Sequence, residues 1–365
     1  MAVLYAYVPS PIVGSNRNES TRPDLSQMPS PNPSKPWELS QRTIPNSTLL
    51  PRVEALHPEV PGFLEGLADL IQELVAFGTR VFEWSLESAG GITSAEEGTA
   101  RVVVMNQFRW GLDVLLGIAC QMRTGCCDTP KLQLRSLLET RLGLTYLLQE
   151  PVDRAHAFIA CEQHRKLAFL ERLDPETAAG KEHQMLCKRQ GLALAFPASI
   201  ASLRGEAARL RDIIARPQSD AGRRAFAEYA RLQVKTRYPK WYAFYDGPRS
   251  VRRLAIDLNQ GATYDVLYET WSSAVHSTDL FSRLRSYNDS LVAYHHLGYF
   301  GDAQEVAKHA LNEGLALLHE VVCRCAPSHQ RDYAQWYATI RDQYLFVVSA
   351  HNVLVPLEAV PDQTI

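Results

Sequence analysis

Residues 130–150, PKLQLRSLLETRLGLTYLLQE, decide the fold. Leu134, Leu137, Leu138, Leu142, Leu144 and Leu148, with Leu132, Tyr146 and Leu147 between them, spread apolar side chains around most of a helix's circumference. A helix with no broad polar face belongs in the middle of a bundle. Asp128-Thr129-Pro130 opens it, because proline at a first helical position needs no donor, and Pro151 closes it. Upstream, residues 63–88, FLEGLADLIQELVAFGTRVFEWSLES, carry Leu64, Leu67, Leu70, Ile71, Leu74 and Val75 at spacings of three and four, the pattern of an amphipathic helix. The same periodicity predicts helices at about 97–122, 152–172, 179–214, 220–235, 249–258, 262–279, 280–298, 302–324 and 328–346. The expected fold is all-α, a large helical bundle over 62–346 followed by a tail over 347–365.

The 365-residue chain begins differently. Roughly half of its 21 prolines fall before residue 62, where helices cannot propagate, which predicts an extended proline-rich N-terminal arm over 1–61. Leu4, Tyr5, Tyr7, Ile12, Val13 and Trp37 make this arm too apolar for a solvated linker. It is expected to wrap the bundle or to join copies of the chain into a homo-oligomer. Two runs rich in β-branched and aromatic residues, AVLYAYV near the start and YLFVVSAHNVLV near the end, allow a minor two-stranded pairing of the chain ends.

Composition narrows the class further. A formal net charge of -2 argues against a wholly basic nucleic-acid coat. No apolar run reaches the roughly 20 residues that cross a bilayer, and no basic leader precedes an apolar stretch, so the chain is expected to be cytoplasmic with no membrane partner. The seven cysteines lie mostly in helical patterns and are expected to be free thiols. No CxxC pair and no pair of Glu-x-x-His helices is present, so neither a metal nor a cofactor is implied.

Chemistry centres on two ions within the apolar helix. Arg135 and Glu139 stand one turn apart, and a buried ion is costly unless it is paired and hydrogen-bonded, so they need partners from neighbouring helices. The best supplier is residues 261–280, GATYDVLYETWSSAVHSTDL, where Tyr264, Tyr268, Ser272 and His276 recur every fourth residue as a polar stripe. Glu139 orienting one ring nitrogen of His276 would leave the other as a general base near neutral pH. Ser272 and Tyr268 would supply hydroxyls, and Arg135 a cation suited to carboxylate or phosphate. A satisfied structural network would use the same residues. Residues 204–253 add thirteen Lys/Arg against five Asp/Glu, with Trp241, Tyr242 and Phe244 interleaved. That mixture suits phosphate and base contacts, or else a solvated helix pair with an aromatic plug.

The segments LQLRSLLETRLGLTYLL and KWYAFYDGPRSVRRLAIDLNQGATYDVLYETWSSAVHSTDL together resemble a bacterial helical family, domain of unknown function 5677. The family shows Arg-x-x-x-Glu on an apolar helix, then Trp/Tyr-Gly-x-Ser-x-Arg-x-Leu-Ala, then Tyr-x-x-x-Ser-x-x-x-His. The matching positions are Arg135, Glu139, Trp241, Arg252, Leu254, Ala255, Tyr268, Ser272 and His276. The resemblance covers about residues 100–300. It implies a shared fold and a shared polar site, with Trp241 and Arg252 as ligand contacts, and it brings no activity.

The expected site is therefore Arg135, Glu139, Tyr268, Ser272 and His276. Its expected role is binding, or acid/base processing, of an anionic partner such as a nucleotide or RNA. The alternative is a non-catalytic interaction or scaffold protein whose polar network fixes helix register. An open cleft favours the first and a sealed network the second.

Overall fold

The computed structural model describes residues 60–88, 92–192, 200–275, 284–288, 291–294 and 300–349. Helix dominates them. In chain order come α1 (Val60–Glu87), α2 (Ala95–Arg123), α3 (Pro130–Gln149), α4 (Pro151–Leu173), α5 (Ala178–Arg189), α6 (Ile200–Ala215) and α7 (Asp220–Gln233). A 3₁₀ segment, Trp241–Asp246, leads into α8 (Val251–Asp257) and α9 (Gly261–Val275). A hairpin of β1 (Leu284–Asn288) and β2 (Leu291–Tyr294) precedes α10 (Ala303–Cys325), a short 3₁₀ turn at Pro327–His329 and α11 (Gln330–Ser349). Local chemistry sets several starts. Ser94, Ser219 and Ser250 each accept a backbone N–H three residues on, satisfying a donor that the first turn leaves open.

The described residues divide into two compact units, one holding 170–192 with 200–205 and the other holding those before 170 and after 205. In the first, Arg204 grips Asp174 through two hydrogen bonds of 2.9 Å each. Thr177 caps α5 by accepting from the Gly180 N–H, and a Cβ at Gly180 would stand 1.8 Å from the Asp174 carbonyl oxygen, so only glycine fits there.

The second unit holds the main core, built by α1, α2, α3 and α10 packing on one another. Leu134, Leu137, Leu138, Leu142, Leu144 and Leu147 of α3 are fully buried, as a central helix requires. Small residues allow the close approach: Leu317 of α10 comes within 2.5 Å of where a Gly111 Cβ would stand on α2. Outside this centre, α11 covers α10 and α1, with Phe77 stacked on Trp336 at 4.0 Å. By length and hydropathy α2 could cross a membrane, contrary to the expectation that no segment qualifies. Here 56% of its most apolar window is buried in the protein, as in a core helix.

Three local expectations need correction. The helix expected over 179–214 is two helices, because α5 stops at Gly191, whose φ of 69° favours glycine, with Leu192 N–H closing back on the Cys187 carbonyl. Of the helix expected over 280–298, residues 284–288 and 291–294 are instead the hairpin, antiparallel with Leu284 opposite Tyr294 and Ser286 opposite Val292. Asn288-Asp289-Ser290 is hairpin-loop composition whose side chains compete with helical hydrogen bonding, a signal that outweighs the weak apolar period around it. Residues 344–349 of the run expected as a strand continue α11. The arm over 1–59 and the rest of both chain-end runs lie outside the described residues.

A satellite core joins α4, α7 and the 3₁₀ segment through Ala157, Cys161, Ala225, Tyr229 and Phe244. All seven cysteines are free, and burial pushes the Cys161 and Cys127 thiols up to about 12. His164 stacks flat on Tyr229 with ring centroids 3.7 Å apart, and burial lowers its pKa. A folded-state pKa below the unfolded value of about 6.5 means the unfolded chain takes up the proton more readily. The stability His164 contributes is therefore present above pH ~6.5 and is lost as pH falls through the folded value. Urea melts at pH 7.5 and 5.5 should show a smaller acid-induced loss for His164→Phe than for the wild type.

Candidate functional site

The site forms where α3 meets α9, α8 and the 3₁₀ segment. Arg135 donates from Nε to Glu139 Oε1 at 3.1 Å, and from Nη2 to the Tyr268 hydroxyl of α9. Its guanidinium carbon sits 4.2 Å from the Tyr268 ring centroid, and Tyr264 stacks on Tyr268 at 4.4 Å. Burial, then the hydrogen bond to Tyr268, raises the Tyr264 phenol pKa. The nearby Tyr242 phenol is pushed up to about 12, first by burial and then by the charge of Glu139. Three phenols thus surround the Arg135–Glu139 pair.

Trp241 is positioned by a left-handed turn behind it. Tyr245 and Asp246 have φ of 55° and 61°, a conformation that non-glycine residues adopt only under constraint. Glu228 supplies the constraint by accepting the Tyr245 N–H at 2.9 Å, and Arg231 bridges Glu228 to Asp246. Held this way, Trp241 packs edge-to-face on Phe158 and Tyr242 at centroid distances of 5.8 and 5.7 Å.

Between Trp241 and α3 lies a cavity of about 500 Å³. One face of α3 lines it with Ser136, Glu139, Thr140 and Gly143, residues spaced as a single helical stripe. Asn106, Gln107 and Trp110 of α2 also line it, as do Lys240 and the ion pair of Glu162 and Arg165 on α4. Gly143 keeps the floor open: where its Cβ would stand, Trp241 Cζ2 is 3.4 Å away and Gln107 Oε1 3.5 Å away.

Of the residues singled out in the sequence, Arg135, Glu139 and Tyr268 come together, and Glu139 and Trp241 share the cavity wall. Ser272 is half-buried on α9. His276 lies outside the described residues. Arg252 turns away from the cavity into a bidentate pair with Asp265, at 2.7 and 2.8 Å. The basic stretch is largely neutralised in place: Arg209, Arg216, Arg223 and Arg231 each pair with a carboxylate one helical turn away. Sequence reasoning does not single out Gln107, Arg165, Lys240 or Gly143 as site residues. The signals that touch them are the small and polar stripe on an otherwise apolar α3 for Gly143, and the basic stretch with its interleaved aromatics for Lys240.

A second polar network is sealed. Arg141 of α3 pairs with Glu313 of α10, their side chains 6% and 7% exposed, and also donates to Gln260 at 3.2 Å.

Residues 102–291 match the sequence model of the family described as "Family of unknown function (DUF5677)". The chain belongs to this family. Every cavity residue named above falls inside the matched DUF5677 span, whereas α1, α10 and α11 fall outside it. Glu313, the partner of Arg141, is therefore supplied from beyond the matched span. No curated protein and no solved structure matches the chain.

Glu139 and Arg135 are only partly buried, at 37% and 22% side-chain exposure, and Arg135 keeps Tyr268 when Glu139 is removed. Glu139→Ala is accordingly expected to cost about 1 kcal/mol in a urea melt, near the value of a solvent-screened pair.

Proposed function

We propose that the protein binds a nucleotide-sized ligand in the cavity beside Trp241, with Glu139 as the group that accepts hydrogen bonds from it. The observation that carries this is the open cavity against Glu139. At about 500 Å³ it falls within the range of small-molecule sites, roughly 300–1,000 Å³. Aromatic Trp241 offers a face for a planar ring, and Lys240 offers charge to a phosphate. Glu139 gives one hydrogen-bonding position to Arg135, and a carboxylate has further acceptor capacity for a ligand.

RNA is the weaker form of this reading. A polyanion needs a run of free cations, and the arginines of the basic stretch are mostly engaged by neighbouring carboxylates. The scaffold alternative describes Arg141–Glu313 better than Glu139, since the former pair is closed to solvent and the latter faces the cavity.

Nucleoside monophosphates at millimolar concentration are expected to raise the melting temperature of the wild type, while the corresponding nucleosides give a smaller shift. Lys240→Glu should weaken the nucleotide effect about tenfold in concentration and leave the nucleoside effect in place. Equal responses to nucleotides and nucleosides would remove the phosphate from the proposal.

A further inference from the structure

We propose that the cavity selects guanine, the base lying against Trp241 with its N1–H and 2-amino edge on Glu139 and its phosphate towards Lys240. This rests on the nucleotide reading above and specifies it.

Two carboxylates line the cavity, and they are not equivalent. Glu162 is held by Arg165 at 2.5 Å with its side chain 40% exposed, so its charge is already answered near solvent. Glu139 is fixed from behind. Arg135 takes one position on Oε1 and is itself held by Tyr268, which leaves the carboxylate oriented with acceptor capacity to spare. A ligand edge meeting Glu139 must therefore bring donors, ideally two side by side to match two oxygens.

Among the common bases guanine alone presents two adjacent N–H donors on one edge. Adenine places the N1 acceptor beside its amine, cytosine places N3 there, and uracil flanks a single N–H with two carbonyls. Each of these sets an acceptor lone pair against the carboxylate, which costs more than a missing bond. The Trp241 ring edge and Gln107 Oε1 approach the same point above Gly143, at 3.4 and 3.5 Å, so the indole borders the ring and the amide oxygen adds a further acceptor, which again calls for donors from the base.

The test is calorimetric titration of the full chain with GMP, IMP and AMP. IMP differs from GMP only by the missing 2-amino group. GMP should bind at least tenfold more tightly than IMP, and IMP more tightly than AMP. Glu139→Gln, which sets an amide donor against the base donors, should bring GMP down to the affinity of IMP. Equal affinities for GMP and IMP in the wild type would overturn the base selection while leaving the nucleotide reading standing, as would a Glu139→Gln protein that keeps its GMP preference. Absence of binding by all three would overturn the nucleotide reading and this inference with it.

Discussion

Glu313→Ala is expected to destabilise the fold by about 3–5 kcal/mol, several times the loss from breaking a solvent-exposed ion pair. Both members of the Arg141–Glu313 pair are almost fully buried, so removing the carboxylate leaves a guanidinium inside the core with, among the described residues, Gln260 alone to answer it. The desolvation of Arg141 is then uncompensated. Replacing both residues together by methionine should recover most of the loss, because apolar side chains of similar volume carry no desolvation cost. Urea melts of the single and double variants check this, and a loss below about 1 kcal/mol for Glu313→Ala would show that water reaches the pair.

Gly143→Met is expected to weaken ligand binding by more than about a hundredfold while leaving the melting temperature within a few degrees of the wild type. The first atom of any side chain at Gly143 already meets Trp241 and Gln107 at contact distance, so a longer one must enter the cavity. Methionine is flexible enough to follow the available space. Leaving glycine also gains roughly 1 kcal/mol of helix propensity, which offsets strain against the indole. The pair of outcomes separates a plugged site from an unfolded one.

Much of the fold is legible in the sequence, for reasons that differ from element to element. The apolar residues around most of the circumference of 130–150 identify the central helix, since a helix with no broad polar face needs neighbours on most of its sides. Ions on such a helix need partners, and Arg135 does find Tyr268, 133 residues away. Yet Arg141 has the stronger need, and its partner Glu313 is 172 residues away on a helix with an ordinary amphipathic period. Periodicity locates a face and does not say whether a glutamate on it meets water or an arginine.

The cavity is hidden for a related reason. Ser136, Glu139, Thr140 and Gly143 form one stripe, but a stripe of small and polar residues reads equally as helix contact or as open space. Arg252 is implied by the family resemblance to hold a ligand together with Trp241. It pairs with Asp265 instead, which no spacing within either helix could reveal. The hairpin at 284–294 shows the opposite balance, with turn-forming residues deciding what a short apolar run could not.

The most direct measurement is calorimetric titration of the four common nucleoside monophosphates into the wild type and Gly143→Met side by side at low salt. The predicted result is saturable one-to-one binding of at least one nucleotide to the wild type, with Kd below about 1 mM, and none to Gly143→Met. Heats indistinguishable from dilution in the wild type, or the same isotherm in both proteins, would contradict the assignment of the cavity as a nucleotide site.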